Sequence, residues 1–108
     1  MIQIRQYFER AGSFPFECWL LNQNEPARAR ITIALAKLEN GNFSAVKGIG
    51  AGVYELRLDF GPGYRVYFGK DGETIVILLG GGTKKRQQTD IEVAHVRWQQ
   101  YKRDKREE

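Results

Sequence analysis

From Val53 onward apolar and polar residues alternate. Tyr54, Leu56, Leu58 and Phe60 share one phase and Glu55, Arg57 and Asp59 the other, the period of a β-strand with two unlike faces. On the next strand Tyr64, Val66 and Phe68 continue the first phase, and Arg65 and Tyr67 the second. A three-residue Gly61-Pro62-Gly63 loop pairs Phe60 with Tyr64, Asp59 with Arg65 and Arg57 with Tyr67. A two-residue loop would set apolar side chains against charged ones. Lys70-Asp71-Gly72-Glu73 carries the Asp-Gly signature of a tight type I′ hairpin, which places Phe68 opposite Ile75 and Val66 opposite Ile77. The two turns predict one three-stranded antiparallel meander, its last strand ending at Gly80-Gly81-Gly82.

The N-terminal half reads differently. Ile2 and Ile4 alternate with Gln3 and Arg5 as a short opening strand. Ser13 can cap a short helix with Pro15 in its first turn and Phe16, Trp19 and Leu20 at helical spacing. A second helix begins near Glu25-Pro26, places Ile31, Ala34, Leu35 and Leu38 on one stripe, and ends at Gly41. Residues 42–52, with Gly48, Gly50 and Gly52, are expected to be a flexible connection. Their "GIGAG" is no dinucleotide loop, because here a helix precedes and a strand follows. Thr89 or Asp90 can cap a last helix carrying Ile91, Ala94, Trp98 and Tyr101, with a charged tail from about 103 to 108 expected to fray. Phe8, Phe14, Phe16 and Trp19 are expected core residues.

At 108 residues and 42% apolar, a single domain spanning residues 1–108 is expected. No run approaches the roughly 18 apolar residues of a membrane span, and no signal-peptide segment opens the chain. Cys18, the one cysteine, excludes an internal disulfide and is expected to be a buried thiol. These features together suggest a cytoplasmic protein. Seventeen Lys and Arg against thirteen Asp and Glu give a net charge of +4, which favours a polyanionic partner.

The two N-terminal helices are expected to cover the apolar face of the meander. The other face then carries Glu55, Arg57, Asp59, Arg65 and Tyr67, with Val76 and Leu78 alongside, Lys47 near its start and Lys84, Lys85 and Arg86 at its end. Arginine forks and lysine point charges suit phosphodiesters, and Tyr67 is placed to stack on a base. The plainer reading is a solvated sheet face, in which Asp59 and Arg65 form a cross-strand pair worth about 0.2–1 kcal/mol.

The succession "ELRLDFGPGYRVYF", "IVILLGGGTKK" and "DIEVA" resembles the RelE/ParE toxin superfamily, and within it the HigB-like, phage-Gp49-like addiction-module killer proteins. The resemblance runs from about Ile2 to Trp98. It implies an α+β fold: two N-terminal helices packed on a mainly antiparallel sheet of about four strands, with a C-terminal helix. It also implies a toxin of a type II toxin–antitoxin system that cuts ribosome-bound mRNA without a metal or cofactor. A cognate antitoxin, expected to be of helix-turn-helix type, would neutralise it. By resemblance Arg65 contacts the scissile phosphate, Arg57 stands where relatives have an assisting lysine, and Lys84 or Lys85 is the basic residue after the last strand. Lys47, Tyr67 and Arg86 are the expected RNA contacts. Glu55 replaces a lysine of the best-known members and is a candidate general base. No tyrosine follows Lys85 where those members place a catalytic one, and neither Tyr67 nor His95 matches it by motif. The other functions compatible with the resemblance are a ParE-like gyrase inhibitor and a degenerate member that only binds its antitoxin. A plain basic RNA-binding module is a third reading.

Overall fold

The structure is a computed structural model that describes residues 1–107. In chain order the elements are β1 (Gln3–Gln6), α1 (Pro15–Leu21), α2 (Glu25–Glu39), β2 (Val46–Gly48), β3 (Val53–Leu58), β4 (Tyr64–Asp71), β5 (Ile75–Thr83), a 3-10 turn (Lys84–Arg86) and α3 (Gln87–Arg106). One sheet runs in the order β1-β5-β4-β3-β2, with β1 parallel to β5 and every other pair antiparallel. The expected α+β class is observed, with five strands instead of about four. The added strand is β2, which lies in the expected flexible connection. It pairs with β3 through a turn in which Gly50 and Gly52 take φ of +93° and +83°, values that side chains resist.

Local chemistry accounts for the helices. Asn24 caps α2, its side chain accepting from the Ala27 amide at 2.9 Å, and Pro26 sits in the first turn, where its missing N–H costs nothing. Ile31 and Leu38 are fully buried. Phe14 rather than Ser13 precedes α1, and no side chain caps it. In α1 Phe16 points into the core, which turns Cys18 outward, so the cysteine is exposed rather than buried. Phe8 and Phe14 are also exposed and pack on each other at 4.8 Å, a second departure from the expected core.

Both faces of the sheet are covered. On one, Phe16, Ile31 and Leu38 pack against Leu56, Val66, Phe68, Val76 and Leu78. On the other, Ala94 and Trp98 of α3 pack against Val53, Tyr67, Ile77 and Leu79. Val76 and Leu78 therefore lie on the α1/α2 face and Ile77 on the α3 face, the reverse of the expected parity. The cause is the β4–β5 turn. Asp71 pairs with Ile75, leaving the three residues 72–74 in the loop instead of two, and Phe68 faces Leu78. The β3–β4 loop is likewise longer: Leu58 pairs with Tyr64, so residues 59–63 form it, and Arg57 faces Arg65 directly. That shift is even and keeps the paired side chains on their expected faces, but it takes Asp59 and Phe60 out of the strand, so the expected Asp59–Arg65 pair does not form.

A bulge between Tyr67 and Phe68 skips Leu79, so Gly80 and Gly82 face α3 while Gly81 faces α1. The three glycines are close-approach positions. A Cβ on Gly81 would lie 2.3 Å from the Trp19 ring, and one on Gly82 would lie 1.9 Å from Asp90 Oδ2. The helix α3 starts at Gln87, ahead of the expected Thr89 or Asp90, and runs to Arg106. The tail expected to fray from 103 is thus helical, tied back through Arg10–Asp104 and Lys105–Asp71 ion pairs. Glu108 lies outside the described residues. Among the described residues no helix is long and apolar enough to cross a membrane.

Candidate functional site

The register brings Arg57 and Arg65 side by side on the α3 face, and two like charges directly opposite across a strand pair repel. Glu55, two residues before Arg57 on the same strand face, supplies the counter-charge. Its Oε1 accepts from Arg57 Nε at 2.7 Å and lies 3.9 Å from Arg65 Nε. Its Oε2 accepts from Gln87 Nε2 at 2.7 Å. The Glu55 side chain is 0% exposed, Arg65 6% and Arg57 38%, so one arginine is sealed in and the other reaches solvent. Arg65 is fixed further by donating from Nη1 to the Tyr64 carbonyl at 3.0 Å. The hydrogen bond and charge of Glu55 hold the Arg57 guanidinium above its ordinary range, against the desolvation that opposes them.

Lys84 completes the near end. Its amide donates to the Gly63 carbonyl at 2.8 Å, and a Cβ built on Gly63 would lie 3.2 Å from Lys84 Cβ and 3.5 Å from Arg65 Nη1. Lys84, Lys85 and Arg86 are all exposed in the 3-10 turn. Lys47, exposed on the edge strand β2, pairs with Glu55 across the β2–β3 ladder. The structure thus gathers Glu55, Arg57, Arg65 and Lys84, flanked by Lys47 on one side and by Lys85 and Arg86 on the other.

Two expectations change. Tyr67 is 1% exposed under α3, so its ring has no free face for a base. Its hydroxyl and Arg65 Nε are buried with no hydrogen-bond partner among the described residues. Burial, with the nearby charges of Glu55 and Asp90, raises the Tyr67 pKa well above the ordinary phenol range. Glu55 has one oxygen bonded to Arg57, the other to Gln87, and no exposed surface. A general base has to reach its proton, so the carboxylate is instead placed to position the arginines. Both corrections share one cause: the expected open face is roofed by α3.

Sequence reasoning missed Gln87 as part of the site and read Asp90 only as a cap. Gln87 stands four residues before Ile91 and seven before Ala94, on the buried stripe of α3. A polar residue at a stripe position is a signal of a buried polar partner. Asp90 lies over Gly82, next to Arg65 in the β4–β5 pairing. Burial raises its pKa above the usual carboxylate range, against the pull of Arg86 and Arg97. His95 lies elsewhere on α3, with Nε2 3.1 Å from the Gly50 carbonyl.

Residues 18–99 match the family described as "Phage derived protein Gp49-like". An "Uncharacterized protein" of Haemophilus influenzae is 42% identical over 80 residues, covering 73% of this chain and 81% of that protein. The matched region runs from α1 into α3 and contains Glu55, Arg57, Arg65, Lys84 and Gln87.

Proposed function

Because the chain belongs to the Phage derived protein Gp49-like family, we propose that it is the toxin of a toxin–antitoxin pair and a metal-independent endoribonuclease acting on ribosome-bound mRNA. One observation carries the reading: a fully buried carboxylate holds two arginines together beneath an exposed cationic rim. Burying such a group costs several kcal/mol per ion, and apolar residues of similar volume are often no less stabilising. A fold with no use for fixed cations gains little from the arrangement.

In the reaction the RNA 2′-oxygen attacks the adjacent phosphorus. The P–O2′ bond forms, the P–O5′ bond breaks, the 2′-hydroxyl proton passes to solvent water, and solvent water returns a proton to the departing 5′-oxygen. The products are a 2′,3′-cyclic phosphate and a 5′-hydroxyl. Negative charge grows on the phosphoryl oxygens. Arg57 and Lys84, with Lys85 beside it, neutralise that charge, a role in which one fixed donor is typically worth about 10²–10³ in rate. Arg65 adds its charge from just beneath the surface. Glu55 and Gln87 are positioning residues, and Lys47 and Arg86 hold flanking phosphates.

The near-complete burial of Arg65 and the lack, among the described residues, of an exposed tyrosine favour a second reading. In it the cluster is structural, and toxicity, if retained, is of the gyrase-inhibiting kind. The two separate in one assay. End-labelled mRNA is incubated with the purified chain, with and without ribosomes, beside a DNA-supercoiling reaction. Cleavage only on ribosomes, strongly reduced in Arg57→Ala, supports the nuclease. Intact mRNA with inhibited supercoiling supports the alternative.

A further inference from the structure

A groove of about 390 Å³ runs between α2, the connection ahead of β2 and the end of β3, outside the site but sharing Arg57 with it. Its floor is apolar: Ala34, Leu56 and Leu58, with Ile33 of α2 at the rim and 56% exposed. Its charged lining is one-sided. Arg30, Lys37 and Arg57 stand against Asp59 as the single carboxylate among the described lining residues. Leu56 and Leu58 are buried at 3% and 8% exposure, so Ile33 is the large apolar side chain offered to a partner, and a mostly cationic lining around it fits a partner with one apolar anchor and the opposite charge.

We propose that this groove seats an acidic, apolar-anchored segment of the protein that neutralises the chain, and that its carboxylates draw Arg57 away from substrate. The inference rests on the toxin–antitoxin reading and adds the surface, the chemistry of the partner segment and the means of inhibition. Single-stranded RNA fits less well. It needs free aromatic faces for stacking, and the one ring in the groove, Phe60, is covered by the Arg30 guanidinium at 4.6 Å and packed on Tyr64 at 5.1 Å.

The test uses the full chain and the protein encoded by the adjoining gene, with affinity measured by titration calorimetry. Lys37→Glu and Ile33→Asp change exposed positions of α2, and Val96→Asp changes an exposed position of α3 as control. Thermal melting checks that each variant is folded. Each groove substitution is expected to weaken binding about tenfold or more, as central interface positions do, with the control within about twofold. Equal affinity of the groove variants and wild type overturns the proposal. So does unchanged partner affinity with lost affinity for a single-stranded RNA oligonucleotide, which makes the groove an RNA track. If the adjoining protein does not bind the wild-type chain at all, the toxin–antitoxin reading fails and the groove proposal with it.

Discussion

Removing the Glu55 carboxylate leaves Arg57 and Arg65 facing each other across a strand pair, one of them sealed from water. Breaking a buried ion pair by deleting one partner usually costs about 3–5 kcal/mol. Glu55→Ala is therefore expected to lose about that much in chemical denaturation, and a loss below about 1 kcal/mol contradicts the bridging role. Asp90 acts in the opposite sense. Its folded pKa is raised, mainly by burial, so the native state holds its proton more tightly than the unfolded chain does. The ionised form weakens the fold above the folded pKa, and the penalty fades as pH falls into the unfolded range near about 3.9. Asp90→Asn is expected to melt higher than wild type at pH 7 and equally at pH 3. A gain that persists unchanged at pH 3 excludes this origin.

The elements show which parts of the fold were legible and why. Alternation placed Tyr54–Leu58 and Tyr64–Phe68 on their correct faces, since an even change of loop length preserves parity, though it read Asp59 and Phe60 as strand. Asp71-Gly72 misled because the chain closes with three loop residues there. That odd change exchanges Ile77 with Leu78 between the two cores. Neither propensity nor pattern distinguishes these turns when both faces of β5 are apolar and both are buried. Among the expected residues, Glu55 joins Arg57 and Arg65, and the Lys84 backbone is bonded to Gly63 beside them. The roof of α3 was not legible, because a C-terminal stripe of Ile91, Ala94 and Trp98 does not say which face it covers. The glycines of β5 carry that roof and the opposite layer. Gly81→Ala pushes a Cβ to 2.3 Å from the Trp19 ring, and overpacking of this kind costs about 1–3 kcal/mol. In a Trp19→Ala background the cost is expected to vanish; an undiminished cost places the strain in the backbone instead.

For the whole molecule, a net charge of +4 gathered partly into one exposed turn would make the proposed association with RNA depend on salt. Single-stranded nucleic acid releases about 0.7 counterions per phosphate neutralised. If Lys84 and Lys85 each hold a phosphate, replacing both with alanine is expected to reduce the slope of log Kd against log salt by about 1.4. Fluorescence anisotropy with a labelled oligonucleotide over a potassium chloride series measures it, and an unchanged slope removes both lysines from the contact. The turn lies beside the arginine cluster through the Lys84–Gly63 hydrogen bond, so the charges that would steer RNA inward border the proposed centre of reaction. That proposal is tested most directly by mapping mRNA 5′ ends by primer extension after inducing wild type and Arg57→Gln in a bacterial host. One message is compared as a translated copy and as a copy lacking its start site. The expected result is new ends on the translated copy alone, lost in a folded Arg57→Gln protein; growth arrest with both copies intact would contradict it.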